Sequence, residues 1–204
     1  GAMQEPFHIG EYDVYVTASV GISIYPDDGI DAGMLQQNAD IATYRTKRSA
    51  KNGFQFFAPG MIEPMRERLE LETSLRGALE RGELTIQYQP LFGISEGNST
   101  GAPTEFEALL RRTHPELGEV PPATFIPIAE ETGMIISIGS WVLANACRQI
   151  RHWRDAGLPQ LGVNVNVSGL QFDMPDFVDI VGRALESNDV RGECLGLEIT
   201  ERVL

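Results

Sequence analysis

From Leu84 onward the sequence alternates β-branched, apolar runs with helical stripes, and this alternation constrains the fold more than any other feature. Residues 84–92, 105–111, 161–168 and 194–200 read as strands. A short helix is expected from Phe125 to Gly133. A long helix follows Ser140, with Leu143, Ala146, Cys147, Ile150 and Trp153 on one face, and Gly157 and Pro159 stop it. Pro175 opens a further helix with Phe177, Ile180, Val181, Ala184 and Leu185 on one stripe. Strands separated by helices of this length predict parallel βα units. A ring of eight such units is a TIM-type barrel, usually of roughly 250 residues. The stretch from Leu84 to Leu204 holds four strands, half of such a barrel.

The N-terminal part reads strand, helix, strand. Residues 13–24 form one buried strand in this reading, with a turn at Pro26-Asp27-Asp28-Gly29. Asp31 caps a helix that carries Leu35, Ala39 and Ala42 on one face and ends near Asn52-Gly53. Residues 53–57 alternate like a short strand. One helix over so few residues buries little surface, so this unit is incomplete or leans on something else. Residues 60–82 read as a charged linker helix with Leu71, Leu75 and Leu79 on one stripe and Gly82 closing it. Its mixed charges suit a solvated face. The expected division is 1–57, a linker at 58–82, and 83–204.

Composition narrows the function. The net charge of −13 repels phosphate backbones, which argues against a nucleic-acid polymer as partner. A small anionic ligand stays open, because a few arginines and a metal reverse the local field. There is no apolar run long enough for a membrane segment and no signal-peptide pattern. Gly1-Ala2-Met3 reads as a tag-cleavage scar. Cys147 and Cys194 fit no metal-ligand spacing and sit among apolar residues, so they read as core packing in a reduced, cytoplasmic protein. His8, His114 and His152 are scattered and suggest no metal site.

Oxygen-donor side chains stand in the later strands: Glu107 in EFEALLR, Asn164 and Asn166 in VNVNVS, Glu198 and Glu201 in LEITER. Ligand groups of parallel barrels cluster at the C-terminal ends of strands. A carboxylate in an apolar strand needs a partner, and a hard divalent cation such as Mg²⁺ or Mn²⁺ takes oxygen ligands from Glu, Asp and Asn. Arg111, four residues beyond Glu107, can hold a phosphate with two N–H groups. Glu201 is the weaker candidate, because it also suits a loop cap or a pair with Arg202.

These residues lie in motifs whose order and spacing resemble a known family. YQP (88–90), EALLR (107–111), HPELG (114–118), PPATFIPIAEETGMI (121–135), VNVS (165–168) and LEITE (197–201) resemble the EAL domain. Upstream, VTASVGISIYPDDG (16–29), ADIATYRTK (39–47) and KNGFQFF (51–57) resemble the end of a GGDEF domain. The resemblance implies a bacterial signalling protein with an α/β, TIM-like (β/α)8 barrel whose first strand runs antiparallel. It implies a phosphodiesterase that opens cyclic-di-GMP to the linear dinucleotide, with two metals that activate a water and offset charge on the leaving oxygen. Glu107, Asn166 and Glu198 match family metal ligands, and Glu107 is the catalytic candidate among them. Arg111 matches a phosphate-contacting residue, and Gln89 lies by the substrate pocket. Lys47 matches a phosphate-contacting lysine of the cyclases.

The sequence also departs from the pattern. The family's paired aspartates, its lysine and further acidic residues, and the GGDEF motif itself, are not among these residues. Arg112 stands where tryptophan is common, which changes packing beside the pocket. The chain by itself is therefore expected to lack turnover. The alternative reading is a degenerate module that binds cyclic-di-GMP or acts as a dimerisation scaffold. A half barrel leaves an open strand edge and an uncovered apolar interior, so self-association is expected.

Overall fold

The computed structural model describes residues 6–10, 12–49, 53–95, 98–99, 101, 103–158 and 161–199. The chain forms two compact units, Gly1–Leu71 and Glu72–Leu204.

In the first unit, β1 (Phe7–Ile9) and β2 (Tyr12–Val14) form an antiparallel hairpin. His8 and Asp13 pair across it. Then β3 (Ser19–Ile22), α1 (Ala32–Ser49) and β4 (Gly53–Phe56) make a βαβ unit whose two strands pair in parallel. Asp31 caps α1 by accepting a hydrogen bond from the Met34 amide at 2.8 Å. A Cβ at Gly21 would lie 2.0 Å from the Ala39 carbonyl oxygen, so glycine lets α1 close on β3. Ile41, Ala42 and Met61 form the small core, with Phe57 and Met65 packed on it. The single buried strand expected over residues 13–24 is instead two short ones, and much of it is exposed. A two-stranded sheet with one covering helix has too few layers to bury both faces.

Helix α2 (Ile62–Leu75) ends before Leu79, short of the expected stop. Gly77 takes φ +74°, a conformation that ends the helix, and turns carry the chain on to Glu83. The charged side chains are mostly exposed, with i,i+4 pairs such as Arg66–Glu70 at 3.2 Å.

The second unit is built on a sheet of order β11-β10-β8-β5, with β9 beside β8. Strand β5 (Leu84–Leu91) runs antiparallel to β8 (Glu105–His114). Between them, β6 (Ile94–Ser95) and β7 (Asn98–Ser99) pair as a small hairpin. Strand β9 (Gly118–Val120) folds back on β8. Helices α3 (Pro122–Glu131) and α4 (Ile135–Asp155) follow, then β10 (Gly162–Val167), parallel to β8. Short α5 (Gly169–Phe172) and α6 (Phe177–Ser187) lead to β11 (Leu195–Ile199), parallel to β10. The antiparallel first strand and the parallel β8, β10 and β11 agree with the expected partial barrel.

Helix α4 starts at Ile135, before the expected Ser140, and carries Gly139 in its interior. A Cβ there would lie 1.8 Å from Gln171 Nε2. Gln171 is buried and forms a capping box with Ser168 at the start of α5, so the glycine admits a side chain from a distant helix. Phe125, Leu143, Ala146, Cys147 and Val163 are fully buried between sheet and helices. Phe106 and Tyr88 pack on Trp153 with ring centroids 4.7 and 5.4 Å away.

Arg112 is on the helix side of β8, opposite the face that carries Glu107, which corrects the expected place beside the pocket. Its Nη2 donates to Ser74 Oγ at 2.8 Å and to Glu83 Oε2 at 3.2 Å. Glu83 also accepts from Arg81 Nε at 2.5 Å. Nη1 of Arg112 is buried without a hydrogen bond. The charge of Arg112 is tolerable there because a buried carboxylate faces it.

Candidate active site

Period-two alternation sorts the sheet into two faces. On β8, Phe106, Ala108, Leu110 and Arg112 occupy one face, and Glu105, Glu107, Leu109 and Arg111 the other. On β10, Val163, Val165 and Val167 are buried, so Asn164 and Asn166 share the face of Glu107. On β11, Glu198 is the register partner of Asn166. On β5, Gln89 is the register partner of Glu107. Apolar residues at every second position pack β8 and β10 against the helices, and this holds the polar row of these two strands in place.

Asn166 Nδ2 donates to Glu107 Oε1 at 2.7 Å. One rung lower, Asn164 Nδ2 donates to Glu105 Oε2 at 3.4 Å. Among the described residues, the first bond leaves Glu107 Oε2 and Asn166 Oδ1 without a protein hydrogen-bond partner. Together with the exposed Glu198 carboxylate, these are hard oxygen donors on adjacent strands. The donor set fits a hard divalent cation. Among the described residues there is no cluster of three His, Cys, Asp or Glu side chains. The fit therefore rests on an amide oxygen beside two carboxylates.

Arg111 lies on the same face, one turn of the pleat beyond Leu109. Its Nε donates to Gln87 Oε1 at 2.9 Å and its Nη1 to the Leu110 carbonyl at 3.0 Å. A cavity of about 270 Å³ opens between the sheet and α3, α4 and α5, and Arg111, Glu130, Asn166 and Ser168 are among its lining residues. Thus the structure brings Glu107, Asn166, Glu198, Arg111 and Gln89 onto one surface. Lys47 lies exposed in the last turn of α1, in the first unit. Glu201 lies outside the described residues. Gln87 and Glu105 escaped the sequence reading, although alternation along β5 and β8 places both on the polar face. His114 accepts from the Glu116 and Leu117 amides and serves a turn. No helix of the described residues is long and apolar enough to cross a membrane.

Residues 72–204 match the EAL domain model, and residues 1–53 match the diguanylate cyclase, GGDEF domain model. The chain is 42% identical over 199 residues to the bifunctional diguanylate cyclase/cyclic di-GMP phosphodiesterase MucR of Pseudomonas aeruginosa, covering 98% of this chain and 28% of that protein. It is 37% identical to the cyclic di-GMP phosphodiesterase PdeR of Escherichia coli, covering 98% of this chain and 29% of that one. It therefore spans under a third of the length of these relatives. The PaMucR phosphodiesterase in complex with c-di-GMP superposes with TM-score 0.60 at 43% identity, over 65% of this chain and 52% of that one. The FimX EAL domain from Pseudomonas aeruginosa bound to c-di-GMP superposes with TM-score 0.54 at 26% identity, over 66% of this chain and 51% of that one. With a family model matched over well more than half its length, a sheet whose first strand is antiparallel, and solved EAL domains of like fold, the chain belongs to the EAL-domain family.

Proposed function

We propose that this chain carries part of the active site of a cyclic-di-GMP phosphodiesterase that opens its substrate to the linear dinucleotide. The observation that carries the reading is the 2.7 Å bond from Asn166 to Glu107, with Glu198 in register on the next strand. Glu107, Asn166 and Glu198 would hold a divalent cation, Mg²⁺ or Mn²⁺, which supplies positive charge at the scissile phosphodiester when bound. Asn166 fixes the Glu107 carboxylate through one oxygen and leaves the other turned outward. Arg111 offers a fixed cationic group to a second phosphate oxygen. Gln89, opposite Glu107 in the ladder, offers an amide for an acceptor or donor on a guanine edge. In this reading residues 1–57 are the GGDEF part, 58–82 the linker and 83–204 the EAL part.

The paired aspartates, the lysine and the further acidic residues of the family pattern are not among these 204 residues. The chain by itself is expected to bind cyclic-di-GMP without turning it over. Calorimetric titration in Mg²⁺ or Mn²⁺ should show binding that Glu107→Ala abolishes, and chromatography should show no linear dinucleotide. Absence of binding with either cation overturns the site. Product that disappears in Glu107→Ala overturns the lack of turnover.

Copies of the chain are also expected to associate. Strands β5 and β11 end the described sheet, and Leu197 and Ile199 on β11 are 37% and 38% exposed. A monodisperse monomer in light scattering at high concentration would count against this.

A further inference from the structure

We propose that Gln87 is a positioning residue that fixes the Arg111 guanidinium for an anionic phosphodiester without neutralising it. The inference rests on the functional reading above and deepens it.

Strand β5 presents Ile86 and Tyr88 to the helix side, where Tyr88 packs on Trp153. Thr85, Gln87 and Gln89 therefore point to the polar face, the side of Arg111. Gln87 and Arg111 are diagonal neighbours across the ladder, since Arg111 is the register partner of Thr85 and Leu109 of Gln87. A guanidinium has donors only, so the Gln87 amide must turn its oxygen to Arg111 Nε, as the 2.9 Å bond shows. A second bond runs from Nη1 to the Leu110 carbonyl at 3.0 Å. Two of the five N–H groups are thus taken, both on the side of the strand. Among the described residues, the others have no protein acceptor.

The charge of the partner is what matters. No carboxylate forms an ion pair with Arg111 among the described residues. Glu107, four residues back on the same face of β8, is held by Asn166 instead. A glutamate at position 87 would reach as far as glutamine does, and would tie the guanidinium just as well. It would also cancel the positive charge that a phosphate needs. Glutamine orders the long arginine side chain before the ligand arrives, so less rotamer freedom is lost on binding. It does so with a neutral acceptor, which leaves the full charge for the ligand.

The test is calorimetric titration of the 204-residue chain with cyclic-di-GMP in Mg²⁺, using Arg111→Ala, Gln87→Ala and Gln87→Glu. Gln87 is exposed, so its two variants should keep the urea midpoint of the unmodified chain. At neutral pH, Arg111→Ala should lose measurable binding. Gln87→Ala should weaken it by about 3- to 10-fold, the worth of one hydrogen bond. Gln87→Glu should weaken it further, by more than about 10-fold, because the new carboxylate competes with the phosphate. That deficit, taken relative to the unmodified chain at the same pH, should shrink as pH falls through the ordinary glutamate range near about 4.3. The deficit of Gln87→Ala should stay flat with pH. A merely structural role would not produce that difference between the two variants.

Gln87→Glu binding as the unmodified chain does, with Arg111→Ala still defective, overturns the role of Gln87 and leaves the functional reading standing. Arg111→Ala binding normally overturns the functional reading itself. Absence of binding by the unmodified chain overturns both.

Discussion

Along β10, Val163, Val165 and Val167 are 0%, 1% and 2% exposed, whereas Asn166 between them is exposed and Asn164 half-buried. Neighbouring residues of one strand thus meet opposite environments. On β8 the contrast is weaker, between Ala108, 4% exposed, and the half-buried Glu107 beside it. The comparison teaches that two tasks share one backbone. The apolar set supplies burial against α4, and the polar set costs little because water still reaches it. Site residues can therefore change without unfolding the sheet, and core residues cannot.

Four experiments sharpen that contrast, in order of expected effect. Both tryptophans, Trp141 and Trp153, lie in α4, so their fluorescence reports on this unit during urea unfolding. Arg112→Ala removes one partner of the buried Glu83 and should cost about 3–5 kcal/mol. Glu83 also gives this contact a pH dependence. The Arg81 hydrogen bond, then Arg112, holds the Glu83 carboxyl below its ordinary range against the opposing effect of burial. Its contribution is therefore present above the unfolded carboxylate range near about 4.3 and fades as pH falls through the lower folded value. An acid-unfolding profile should show this loss, reduced in Arg112→Ala.

Leu143→Ala, at a fully buried position of α4, should cost about 2–5 kcal/mol. A loss below about 1 kcal/mol would mean that the helix face is not the load-carrying side of the sheet. Asn166→Ala, at an exposed position, should change stability by no more than about 0.5 kcal/mol, and Glu107→Ala, at a half-buried one, by no more than about 1 kcal/mol. A large loss in either would erase the distinction between the two faces. The smallest effect is chemical. Burial pushes the Cys147 thiol up to about 11, while Cys194 is half-buried. In the folded chain near pH 8, alkylation followed by peptide mass mapping should label Cys194 and spare Cys147.

Much of this architecture was legible because it is local. Strand runs over 84–92, 105–111, 161–168 and 194–200 declared themselves by β-branched residues, and the stripe of α4 by its spacing. The resemblance to the EAL motifs added the antiparallel first strand. What stayed hidden depended on distant partners. The start of α4 was placed after Ser140, and Gly139 makes sense inside the helix only when Gln171 is seen to occupy the space beside it. Arg112 reads as a neighbour of the pocket until Ser74 and Glu83 claim it from the other side. The first unit was misjudged for a different reason. Its β-branched run looks like a core strand, but Tyr15, Val16 and Val20 are 73%, 40% and 48% exposed, because few layers cover it. Of the site, the candidates on β8, β10 and β11 could be named from sequence. The hold of Gln87 on Arg111 could not, because it crosses an antiparallel ladder whose register no motif specifies.

The lower rung of the polar face has a consequence for how this sequence can change. Gly196 leaves room for the Asn164 side chain, and a Cβ there would lie 2.1 Å from Asn164 Oδ1. Positions 164 and 196 are therefore not independent. Gly196→Ala should be damaging alone and much milder in an Asn164→Ala background, a sign of epistasis that a double-mutant cycle measures directly. Drift at one position waits on the other, so the order in which the two substitutions arise decides which evolutionary path stays folded.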